Sequence, residues 1–342
     1  MYPDMIDVIY IERDIRDHPR TRQVCARFPA ARQISCERYG EVFNPKTQNF
    51  RLQKRRPALI LARKFDAHVL KAPDGFGIGG TRNYYFSHML NCLYDCRYCF
   101  LQGMYRSGHY VLFVNYEDFE QAIERTLALH DGQETWFFSG YDCDSLAMEP
   151  VTQFTRHFLQ FFERHPAACL ELRTKSTQVR SLLDRDILSN VVIAFSFTPD
   201  AVSRALENRV PALDRRIDAI SRLQTAGWQV GLRFDPLIHH QDYQRHYDEL
   251  FRRLFSRLDA GRLHSVSLGS LRLPRQYQKN IVRLYPDETI FAGHLQENCG
   301  MYSYPQDLET EMHTYCTGAL SAHIPADILH PCGYATGHKG HA

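Results

Sequence analysis

No run of apolar residues in this 342-residue chain approaches the ~20 that a membrane-crossing helix needs, so a membrane protein is not expected. An apolar signal core is missing as well. The chain starts Met1-Tyr2-Pro3-Asp4, with acids early, which points to a cytoplasmic location. An excess of one charge is also absent: 41 basic against 39 acidic residues leave +2. That balance neither demands nor excludes a nucleic-acid partner, because a basic groove can hide inside a neutral total. There is no low-complexity segment and no short repeat, so a solenoid is excluded. What remains, 44% hydrophobic and 23% charged residues, is the mix of a folded globular protein. The length suits one large α/β domain with an N-terminal extension, or two ordinary domains.

Ten cysteines are present, and in a reducing compartment they argue for metal or redox chemistry rather than a disulfide framework. Three lie together in Cys92-Leu-Tyr-Asp-Cys96-Arg-Tyr-Cys99-Phe100, and no fourth cysteine is close in sequence. Three thiolates on one loop can ligate three irons of a cubane and leave the fourth iron open, unlike the four-cysteine set of an ordinary electron-transfer cluster. The alternative is zinc, which needs a fourth ligand such as His88 or His109. Ligand type and spacing favour a [4Fe–4S] cluster on Cys92, Cys96 and Cys99.

From about residue 81 the chain alternates between β-rich and amphipathic stretches. Strands are expected at 83–87, Thr135–Ser139, Cys169–Thr174, Val191–Phe197, Gln229–Phe234 and Ser265–Leu268. Helical spacing runs through Tyr116–Leu129, Val151–Arg164, Leu213–Ala226 and Asp242–Leu258. Such alternation implies a parallel sheet, doubly wound or rolled into a barrel. Polar residues recur at the carboxyl ends of these strands: the cysteine triplet, Cys143 with Ser145, Lys175, Ser196 and Asp235. A parallel barrel builds its site at that rim. The glycine string Gly75-Phe-Gly77-Ile-Gly79-Gly80 is not fed by a clear strand and reads as a flexible connection rather than a dinucleotide loop.

The C-x3-C-x2-C spacing, with an aromatic residue before the last cysteine, resembles the radical S-adenosylmethionine (SAM) superfamily. The wider pattern resembles the spore photoproduct lyase family more specifically, over about residues 80–290. It is carried by the triplet followed by Phe100-Leu101-Gln102, by Gly140-Tyr-Asp-Cys143-Asp-Ser145, by Arg173-Thr-Lys175-Ser and by Ala194-Phe-Ser196-Phe. The resemblance implies an α/β fold: a partial (β/α)6 TIM-type barrel at 81–290, an irregular N-terminal extension at 1–80, and a C-terminal α/β appendage and tail at 291–342. It implies that SAM binds the open iron and is cleaved to a 5′-deoxyadenosyl radical, which takes hydrogen from a thymine photoproduct in UV-damaged DNA. Cys143 matches the family's hydrogen donor, and Tyr98 the tyrosine near the hydrogen relay. Ser145, Lys175 and Ser196 match polar groups that hold SAM. A flavodoxin- or ferredoxin-type electron donor and a monomeric chain are expected.

Two departures stand out. The family's tyrosine directly after the third cysteine is Phe100 here, with no hydroxyl to give. The stretch matching the family's basic DNA-gripping hairpin, Glu297–Pro305, has lost its basic residues but keeps Tyr302 and Tyr304, to stack on bases or to fill the core. These changes leave open a radical SAM enzyme with another lesion or substrate. A zinc-stabilised nucleic-acid-binding protein is the alternative from another class. Arg51, Lys54, Arg55, Arg56, Arg63 and Lys64 either touch phosphate or form a solvated face. Cys299, Cys316 and Cys332, with His313, His323 or His330, offer a second metal set, against which buried thiols are the plainer reading. The terminal His338-Lys-Gly-His341 run reads as a tail.

Overall fold

The structure, a computed structural model, describes residues 6–293 and 295–332, so the terminal histidine run lies outside the described residues. Six parallel strands form its centre: Asn83–Phe86, Thr135–Ser139, Ala168–Thr174, Val191–Ser196, Gln229–Leu237 and Leu263–Ser270. Each pairs in parallel with the next in chain order. A doubly wound sheet reverses its strand order partway; unbroken sequential order is that of a barrel. The sheet curls, because the rings of Trp136 in strand two and His264 in strand six lie 5.5 Å apart. Short strands flank its two edges, Leu70–Lys71 antiparallel to strand one and Leu329–Pro331 parallel to strand six.

Period-two alternation decides what faces inward. Cys169, Glu171 and Arg173 share one face of strand three, with Lys175 following at its end. Ile78, Trp136, Phe138, Cys169 and Val192 cluster as an apolar floor inside the curl. Above them the buried Glu171 carboxylate meets Arg233 of strand five at 2.8 Å. The opposite faces, with Phe137, Leu170, Leu172, Ile193 and Phe195, belong to the main core under the helices.

The outer helices fall near their expected places: Tyr116–Ala128, Leu213–Ala226 and Tyr243–Phe255. One expected helix is broken. Residues 151–164 divide between Glu149–Thr152 and Phe154–Arg164, because Gln153 takes a left-handed φ of 48° that no α-helix continues through.

The N-terminal extension is more regular than its sequence suggests. Val8–Glu12, Arg32–Cys36 and Leu59–Ala62 pair in parallel. Tyr110–Phe113 joins Leu59–Ala62 in parallel, and Met89–Leu90 adds an antiparallel strand. This second sheet therefore draws strands from both sides of residue 80. At the other end, Gln296–Asn298 and Met301–Ser303 form a hairpin whose turn residues, Cys299 and Gly300, have φ of 50° and 80°. Two positive φ values are what a tight two-residue hairpin requires. Among the described residues no helix is long and apolar enough to cross a membrane.

Candidate functional site

The cysteine loop is held from several directions. Asn91 donates to the carbonyls of Ser107 at 2.6 Å and His109 at 2.7 Å. Asp95–Cys96 pairs antiparallel with Glu207–Asn208. The Arg97 guanidinium bridges Asp95 at 2.8 Å and Glu288 at 3.0 Å. The loop after strand two turns sharply at Gly140, whose φ is 86° and whose missing side chain leaves room for Ser145 Oγ and the Arg173 carbonyl. Asp144 then ties this loop to the next. Its carboxylate accepts from the Leu146 and Ala147 amides at 3.0 and 2.8 Å, from Thr174 Oγ1 at 2.6 Å, and from the Lys175 amide at 2.7 Å.

These loops enclose a cavity of about 310 Å³ at the carboxyl ends of the barrel strands. Cys92, Cys96, Cys99 and Tyr98 line it from the cysteine loop, and Cys143, Lys175 and Ser196 from the barrel. The eighth expected residue, Ser145, is buried behind the wall. Its hydroxyl lies 2.6 Å from that of Ser139, which does line the cavity. Phe100 also lines it, its ring 5.5 Å from Tyr141 and 6.5 Å from Tyr277.

Burial governs the thiols. It pushes Cys92 up to about 12, with Asp144 adding to the effect, and drives Cys96 well above its ordinary value. Cys99 is raised by the same cause. Burial also drives Cys143 well up, followed by the effects of Cys92, Asp142 and Asp144. Three such thiols become thiolates when a metal cluster offsets the burial cost. Cys143, outside that set, stays a neutral S–H.

Zinc fits this wall poorly. His88 is fully buried and stacked on Phe154 at 4.0 Å, and burial lowers it to about 3. His109 Nδ1 accepts the Ala58 amide at 2.9 Å. Neither lines the cavity. Among the described residues no three His, Cys, Asp or Glu side chains are placed to hold a single metal ion. A tetrahedral ion needs its ligands converging on one point, whereas a cubane seats each thiolate on a different iron. Cys299, Cys316 and Cys332 form no single-ion set among the described residues either: Cys316 and Cys332 are buried, and Cys299 is exposed at the hairpin turn.

Glu207 is the main residue that sequence reasoning missed. Its buried carboxylate accepts from the Tyr98 hydroxyl, from Ser203 Oγ at 2.7 Å and from Arg216 at 2.9 Å, with Lys175 Nζ at 3.6 Å. Burial alone would raise it, but Lys175, Arg216 and the two hydroxyls bring it down to about 2. It sits at a helix end with no motif around it, so only the fold reveals it. Asp144 was easier to read, since an Asp in the loop after a strand commonly caps nearby amides. Tyr304 belongs to the core: it is buried, and its hydroxyl accepts the His239 amide at 2.9 Å. Tyr302 stays half-buried on the hairpin.

Residues 80–327 match the family model described as spore photoproduct lyase. The chain is 24% identical to the spore photoproduct lyase of Bacillus subtilis over 244 residues, 68% of this chain and 71% of that protein. With that of Clostridium acetobutylicum it is 20% identical over 317 residues, 89% and 92% of the two chains. Among solved structures it resembles a spore photoproduct lyase variant with bound AdoMet and dinucleoside spore photoproduct. There the TM-score is 0.84 at 17% identity, covering 96% of this chain and 99% of that one. A second, complexed with dinucleoside spore photoproduct, gives 0.84 at 18% identity over 97% and 99%.

Proposed function

Because the chain belongs to the spore photoproduct lyase family, we propose that it repairs a thymine photoproduct in UV-damaged DNA by radical SAM chemistry. One observation carries the reading: a buried neutral thiol, Cys143, shares a single cavity with the cysteine triplet, Lys175 and Ser196. Cys92, Cys96 and Cys99 would hold the [4Fe–4S] cluster, which with SAM supplies a 5′-deoxyadenosyl radical at this rim. The Lys175 ammonium suits the SAM carboxylate, and the Ser196 hydroxyl adds a donor beside it. Ser145 acts by fixing Ser139 rather than by touching SAM. The Glu207 carboxylate faces Lys175 at 3.6 Å and accepts the Tyr98 hydroxyl, anchoring both at the rim.

Cys143 ends the reaction. Its S–H bond breaks, a C–H bond forms on the thymine-based radical, and a thiyl radical is left on sulfur. The S–H bond is weaker than the C–H bond made, so the transfer runs downhill. Since the thiol stays protonated, the hydrogen is present at the sulfur when the product radical arrives.

DNA would meet the mouth of the cavity. The helix Arg275–Leu284 lies there, with Tyr277 on the lining and Arg275, Lys279 and Arg283 exposed; the helix carries no acid. These residues take over phosphate contacts that the altered hairpin cannot make. A flavodoxin- or ferredoxin-type donor would reduce the cluster, and the chain would act as a monomer in the cytoplasm. Phe100 and the hairpin favour one second reading, the same chemistry on a different lesion or substrate.

The test is anaerobically reconstituted protein with SAM, dithionite and DNA carrying the spore photoproduct. Thymine and 5′-deoxyadenosine are followed by chromatography. Thymine release supports the reading. SAM cleavage without thymine release overturns the substrate and turns to the second reading.

A further inference from the structure

The basic run 51–64 does not act as one surface. Arg51, Arg55 and Arg56 are exposed, but Lys54 between them is 6% exposed and lines the same cavity as the three cysteines. It comes from the N-terminal helix Phe50–Arg55, outside the residues that the family model matches. Its Nζ donates to the Cys92 carbonyl at 3.0 Å. The approach is built in. A side chain at Gly108 would meet the Phe50 carbonyl at 2.8 Å and the Lys54 amide at 2.9 Å, and the Gly108 amide donates to Gln53 Oε1 at 2.8 Å. The rings of Phe50 and Tyr110 lie 5.6 and 5.8 Å from the ammonium.

The acidic groups facing Lys54 are Asp95, Cys92 and Cys99, with Arg209 the cation opposing them. Asp95 is already engaged by Arg97 at 2.8 Å. With neutral thiols, only Asp95, shared with Arg97, would offset the ammonium against the burial that disfavours it, a poorly compensated charge of the kind proteins seldom keep. It is compensated once the triplet carries a cluster, because a cubane with three thiolates is an anion and gains a further negative charge on reduction. Hydrogen bonds and charges beside the ligands are among the factors that set such potentials.

We infer that Lys54 is a positioning and tuning residue for the iron–sulfur cluster, raising its reduction potential so that a low-potential donor can reduce it. The inference rests on the triplet holding a [4Fe–4S] cluster, but not on the identity of the substrate. The experiment is an anaerobic redox titration of the reconstituted protein without SAM or DNA. It is followed by the electron paramagnetic resonance of the reduced cluster, at matched iron content. Lys54→Met should lower the midpoint potential, and Lys54→Arg should keep it near wild type. An unchanged midpoint in Lys54→Met overturns the inference. If Lys54→Met fails to hold iron, Lys54→Gln replaces it, since it keeps a donor for the Cys92 carbonyl and removes only the charge. A wild-type midpoint in Lys54→Gln likewise overturns the role of charge. Wild-type protein that binds no cluster at all would instead sink the cofactor reading itself, before any variant is compared.

Discussion

The hydroxyl of Tyr98 donates to the carboxylate of Glu207, a group that also holds Arg216 at 2.9 Å and faces Lys175 at 3.6 Å. Tyr98 lines the cavity, yet its O–H is committed to this buried ion cluster. The tyrosine expected near the hydrogen relay therefore also ties the cysteine loop to the barrel rim. Tyr98→Phe should remove one hydrogen bond and destabilise the protein by ~1–3 kcal/mol. The distribution of repair products should stay unchanged. Accumulation of side adducts in that variant would instead give Tyr98 a direct part in hydrogen transfer.

Glu207→Gln should be far more damaging, because it leaves buried Arg216 and the half-buried Lys175 without their carboxylate. The expected loss is ~3–5 kcal/mol. That corresponds to a fall on the order of 10 °C in melting temperature for a chain of this size. The pH dependence has a definite sign. Glu207 is depressed from 4.5 to about 2, so its contribution is present above about 4.5 and is lost as pH falls toward 2. Calorimetry from neutral to acid pH should show wild type and variant converging at the acid end. Parallel curves would contradict the assignment.

Cys143→Ala should keep the cluster and SAM cleavage while the product radical diverts to side adducts, visible by chromatography. Clean thymine release by this variant would end the donor assignment. Because burial raises this thiol well above its ordinary value, repair should show no loss from its ionisation between about pH 7 and 9. For the same reason alkylation followed by mass spectrometry should label exposed Cys299 long before Cys143.

The barrel was legible because its strands are bounded apolar runs separated by amphipathic helices, and because the rim residues follow strand ends. Thr135–Ser139 and Leu213–Ala226 fall where their patterns put them. The N-terminal sheet was not legible. Its strands have only two to five residues, Arg32–Cys36 is a largely exposed edge, and Leu59–Ala62 is too short for its period to be read. In the site, motif residues were found and their supports were not. Cys143 and Lys175 sit in readable strings, but Glu207 and Lys54 gain their meaning only from partners 109 and 38 residues away in the chain. Ser145 illustrates the limit in the other direction. Its position matched a motif, while its side chain lies behind the cavity wall, 2.6 Å from the Ser139 hydroxyl.

The exposed helix at the cavity mouth gives a prediction that separates affinity from chemistry. Arg275 is partly neutralised by Glu297 at 3.1 Å, whereas no ion pair to Lys279 or Arg283 is found among the described residues. Phosphate contacts release counterions, so each one lost should lower the slope of log affinity against log salt by about 1. Lys279→Ala and Arg283→Ala should each do so, weakening binding to damaged and undamaged duplex alike. Arg275→Ala should do less, because Arg275 is already engaged by Glu297 and neutralises less phosphate charge. Repair of a dinucleotide photoproduct, which has little backbone to grip, should be unaffected in all three variants. Fluorescence anisotropy across a salt series checks the slopes. Unchanged slopes with intact repair of duplex DNA would place the DNA on another face and remove this helix from the reading.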